Sequence, residues 1–138
     1  MSITRADRPR LIPRKSSNGP WNKMALVMGA ATYLLVMYRL QTYTERNHMP
    51  GQTYALFAAI LFLLGFALGL AASAFPSRAV TFLILGVFVA HSIIIWVDLR
   101  EDPTNHNLLP FVFITYLILC SPAYLGAWLC RLGKLPRR

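Results

Sequence analysis

The amino-acid sequence predicts an all-α polytopic membrane protein: four transmembrane helices in an antiparallel up-down bundle, behind a disordered basic N-terminal tail. Three observations predict it. Apolar residues make up 56% of the 138-residue chain and charged residues only 14%, against about 45–50% and about 25% in soluble domains. The apolar residues gather into four runs, none with the alternation of a half-buried strand. Ten of the fourteen Lys and Arg sit in the two tails, so the net charge of +9 reads as membrane topology. A nucleic-acid-binding domain would instead interleave cations and aromatics on a folded face.

Residues 1–23 hold six basic residues, one acid and three prolines. They cannot bury enough apolar surface to offset the entropy of ordering, so a disordered cytoplasmic tail is expected. An Arg-rich start also suits a transit peptide or a signal sequence. No small-residue cleavage site follows the first apolar run, which favours an uncleaved helix.

The first helix is expected near 24–43. Only fifteen uncharged residues separate Lys23 from Arg39, or about 22 Å of helix against a hydrocarbon core of about 30 Å. It reaches spanning length if both charges snorkel outward and the helix continues towards Tyr43, with Trp21, Tyr38 and Tyr43 at the interfaces. The second helix, 53–75, has no charge and no polar face. Its Gly65, Gly69 and Ser73 recur at i, i+4 spacing, a small-residue stripe that admits another helix closely.

Pro76-Ser77-Arg78 is a short link to the third helix, 79–98, which is therefore expected to pack antiparallel beside the second. Gly86 and Ala90 offer a second close-packing seam, and Trp96 marks the far interface. The fourth helix, 107–130, follows the Asp102-Pro103 turn. Pro122 in its interior removes one backbone hydrogen bond and is expected to kink it. A basic cytoplasmic tail, 131–138, closes the chain. Cys120 and Cys130, roughly 15 Å apart on this helix, are too distant for a mutual disulfide and read as buried thiols.

With four spans, one side carries eleven Lys and Arg and the other three: Arg39, Arg46 and Arg100. The positive-inside rule then places both termini in the cytoplasm, as for a bacterial inner membrane protein. An organellar membrane satisfies the same count.

Most of the unusual chemistry lies between His91 and Pro110, which holds two of three histidines and three of five acids. His91 falls within the third helix, Asp98 at its outer end, and Glu101, Asp102 and His106 in the outer loop. Imidazole and carboxylate are ligand types for a divalent metal, so His91, Asp98, Asp102 and His106 are the candidate metal ligands. His91 and Asp98 share a helix face but stand roughly 10.5 Å apart along the axis, too far for one ion on a regular helix. No HExxH, CxxC or i, i+4 histidine pair supports the site. The plainer reading has the acids solvated, Asp102-Pro103 starting the fourth helix, and His91 making an interhelical contact.

At its depth His91 needs a protein partner, or a water held by one. The candidates are the turn after Asp98, folded over the bundle mouth, or Thr32 or Tyr33 of the first helix. An Arg39–Asp98 ion pair would relieve the shortness of the first span. No second intramembrane histidine is available to ligate a haem, and no nucleotide-binding or nucleophile motif occurs, so catalytic and cofactor-binding residues stay unassigned. The leading expectation is a non-enzymatic structural or accessory subunit that assembles, as a homo-oligomer or in a larger membrane complex, through the Gly65/Gly69/Ser73 face. The alternatives are an oligomeric small-solute or metal-ion transporter using His91 and the outer acids, and an interfacial enzyme using His106 and Asp102 at headgroup level.

Overall fold

The computed structural model of the chain describes residues 19–39, 51–72, 76–101 and 109–133, without the side chains of Arg39, Glu101 and Leu109. The described residues are almost entirely helical: α1 (Gly19–Tyr33), continued by a π-helical stretch at Leu34–Arg39, α2 (Gly51–Ala71), α3 (Pro76–Glu101) and α4 (Leu109–Gly133).

Three of these, α2, α3 and α4, are long and apolar enough to cross a membrane. Their 21, 26 and 25 residues extend about 31, 39 and 37 Å, against a hydrocarbon core of about 30 Å. Large apolar side chains point away from the protein on every helix: Val27, Leu63, Ile93, Ile118 and Phe111 are 55–67% exposed. Such faces are unsuited to water and compatible with an integral membrane protein.

The first apolar run differs from the expected 24–43 helix and is not among the three. It begins earlier, at Gly19, because Pro20 has no N–H to lose in the first turn and its fixed φ suits a helix start. Its regular α-helix then covers 15 residues, about 22 Å. From Leu34 it loosens into a π-helix, which shifts Val36 and Met37 into the core.

The third helix likewise starts on its proline, at Pro76 rather than residue 79, and runs on to Glu101. In α4 the helix continues through Pro122. A proline there leaves the Ile118 carbonyl without its usual i+4 donor, and the Ser121 hydroxyl donates to that oxygen at 2.7 Å. Other hydroxyls are also satisfied on their own helices: Thr32 donates to Met28 O and Ser92 to Phe88 O, both at 2.8 Å.

Helix pairing follows the glycines. A Cβ placed on Gly29 would run into the Leu83 carbonyl, and one on Gly86 into the Leu26 carbonyl. A Cβ on Gly65 would meet the Ala123 carbonyl, and one on Gly126 the Phe62 carbonyl. So α1 crosses α3, and α2 crosses α4, each at a reciprocal glycine contact where backbone touches backbone. Residue numbers rise together across both crossings, so the members of each pair run in the same direction. The pairs meet with α3 and α4 opposed, Thr81 bonding Tyr124 at 2.8 Å near one end and Phe88 stacking on Phe113 near the other. The short link between α2 and α3 suggests those two as antiparallel neighbours, and they do touch, but the closest packing is elsewhere. The glycines override chain proximity because close backbone approach brings more dispersion contact than adjacency alone can.

Candidate functional site

Where the two pairs meet, all four helices send side chains to one cluster. α3 contributes His91, only 4% exposed. It lies one turn beyond Val87, whose backbone Gly29 touches, so the α1–α3 crossing sets the imidazole opposite Tyr33 at the end of the regular part of α1. The Tyr33 hydroxyl and His91 Nδ1 are 2.7 Å apart, a short interhelical hydrogen bond. The π-helical stretch begins at the next residue.

From α4, Phe113 and Tyr116 sit one turn apart and close the other side, with ring centroids 5.2 and 4.3 Å from that of His91. Tyr116 also meets Tyr33 edge-on at 5.5 Å, and Phe57 of α2 packs edge-on against Tyr116 at 6.1 Å. Both geometries suit the aromatic quadrupole.

The cluster satisfies only half of the imidazole. His91 Nε2 is buried and has no hydrogen-bond partner among the described residues. Such a group costs about 1–3 kcal/mol. Neutral imidazole carries one donor and one acceptor nitrogen, so there are two arrangements. Either Tyr33 donates to Nδ1 and Nε2 holds a buried N–H, or Nδ1 donates to the Tyr33 oxygen and Nε2 keeps a lone pair. In both, the arrangement can fix helix register and can offer one further hydrogen bond to a small polar guest.

Of the four candidate ligands, the structure puts His91 in this cluster and Asp98 half-buried about two turns further along α3. Asp102 and His106 lie outside the described residues, as do the turn expected to fold over the bundle mouth and the Arg39 side chain of the expected pair with Asp98. Among the described residues no three His, Cys, Asp or Glu side chains gather to hold a metal. The partner His91 takes is Tyr33, one of the two first-helix candidates. Tyr116, Phe113 and Phe57 carried no sequence signal beyond the polar hydroxyl of Tyr116 at membrane depth.

Towards the C-terminal end of α3, beyond His91, the Arg100 guanidinium lies 3.8 Å from the Trp96 ring centre, a cation–π contact. Gly65 and Gly69 of the small-residue stripe are buried against Ala123, Ala127 and Cys130 of the same chain; Ser73 lies outside the described residues.

Compared with protein-family models, curated proteins and solved structures, the chain matches none.

Proposed function

We propose that the chain is a small non-enzymatic integral membrane protein, a structural or accessory subunit of a bacterial inner membrane. In this reading all four helices span, up and down, with both termini cytoplasmic. The observation that supports it best is how His91 is held: Nδ1 bonds Tyr33 and the ring is walled by Phe113 and Tyr116. A buried polar contact of this kind sets the register of α1 against α3.

The first helix spans as the glycine-packed partner of α3, with Lys23 reaching the headgroups by snorkelling. The excess of Lys and Arg in the tails supports the orientation. Because α4 fills the Gly65–Gly69 groove, an oligomer or larger complex would use the exposed apolar faces instead.

The transport reading retains one specific observation, the His91 Nε2 that has no hydrogen-bond partner among the described residues, which a metal ion or polar solute could engage. Melting of wild type and His91→Phe in bicelles, across about pH 5–8 and with and without zinc, separates the two. The accessory reading expects zinc to leave wild-type melting unchanged and the pH dependence of the two proteins to coincide. Zinc stabilisation of the wild type that disappears in His91→Phe would replace it with the transport reading.

A further inference from the structure

At the end of the molecule where α3 begins and α4 finishes, a cavity of about 430 Å³ lies between these two helices. Pro76 and Ser77 line it from the first turn of α3. From α4 it takes Tyr124, Leu125, Trp128 and, at its outer end, Arg131. The buried Ala127 lines the cavity as well, while the Thr81–Tyr124 hydrogen bond joins the two helices beside it.

Three features define what fits. The lining on α4 extends from Ser121 to Arg131, about 15 Å along the axis, half the thickness of a hydrocarbon core and so the depth of one leaflet. Its inner part is mostly apolar and its mouth is cationic, with aromatic Tyr124 and Trp128 at the level where amphipathic rings settle. The charge at this end is uniformly positive among the described residues: Lys23, Arg78 and Arg131 lie here, whereas Asp98 and Glu101 stand at the far end of α3. The sequence adds Lys134, Arg137 and Arg138 directly after α4.

We propose that this cavity is a binding site for one anionic phospholipid, its phosphate at Arg131 and Ser77 and one acyl chain lying along Leu125 and Trp128. The site is distinct from the general attraction of a basic surface for anionic lipid because the chain is held between α3 and α4. It fills the space between these two helices and would hold them together at the end opposite the His91 cluster.

Native mass spectrometry of the protein released from nanodiscs of mixed phosphatidylglycerol and phosphatidylcholine tests it. One retained phosphatidylglycerol is expected on wild type. Arg131→Gln should lower the ratio of retained phosphatidylglycerol to phosphatidylcholine about fivefold, the effect of one cation at a lipid surface. Lys23→Gln removes the same charge at the same end, outside the cavity, and should leave the ratio unchanged. Leu125→Trp, which fills the groove without altering charge, should abolish retention, and it decides the matter should Arg131→Gln fail to fold. Equal loss in Lys23→Gln and Arg131→Gln, retention surviving Leu125→Trp, or displacement of the lipid by inorganic phosphate would each overturn the proposal.

Discussion

Replacing three glycines of α2 by alanine should have graded effects that the geometry ranks in advance. At Gly65 a new Cβ meets the carbonyl oxygen, carbonyl carbon and Cα of Ala123, all backbone, so neither partner can rotate aside and the α2–α4 crossing must open. Overpacking of this kind costs about 1–3 kcal/mol, and an all-backbone obstacle puts the cost near the top of that range. Alanine recovers about 1 kcal/mol of helix propensity in a helix interior, leaving a net loss of about 2 kcal/mol. At Gly69 the nearest atoms are Ala127 Cα and Cys130 Cβ, both at 3.0 Å. A shift of a few tenths of an ångström relieves them, so strain and propensity roughly cancel. At Gly51 nothing lies within 4 Å, and the change should stay within about 0.5 kcal/mol. Equilibrium unfolding in bicelles, followed by tryptophan fluorescence, would give the three values. Gly65→Ala as stable as Gly51→Ala, or Gly69→Ala the most damaging of the three, would refute the paired-helix packing.

Tyr33→Phe should cost about 2 kcal/mol, since interhelical hydrogen bonds in membranes contribute up to about 1.7 kcal/mol and the loss leaves both nitrogens of a buried imidazole unpaired. The Tyr33→Phe, His91→Phe double variant should be less damaged than the sum of the singles; strict additivity in the same unfolding assay would mean that the bond contributes nothing. Single cysteines at Gly19 and Gly133 should react with impermeant thiol reagents only from the cytoplasmic face, and one at Gly51 only from the other, in a background with Cys120 and Cys130 replaced by serine. Opposite accessibility of Gly19 and Gly133 would eliminate the four-span topology.

What the sequence by itself determined is the class of the protein and most of its elements. Uncharged, mainly apolar runs of nineteen or more residues can satisfy their backbone in lipid only as helices, so α2 and the bodies of α3 and α4 follow from local composition. Their proline-marked starts were harder to place, because whether a proline ends one segment or opens the next depends on which backbone groups the neighbours satisfy. Composition also showed that His91 needed a partner and restricted that partner to a few side chains, Tyr33 among them.

The tertiary structure alone decided which helices pair. Gly29, Gly65, Gly86 and Gly126 are each legible as small residues, yet nothing local states that Gly86 faces α1 or that Gly65 faces α4. Reciprocal close approach is a property of two surfaces together. The same reason hid Tyr116, Phe113 and Phe57, ordinary aromatics in their own helices that become the wall around His91 only after two crossings superimpose them. It also hid the cavity at Arg131, whose lining comes from both α3 and α4 and so belongs to neither segment alone.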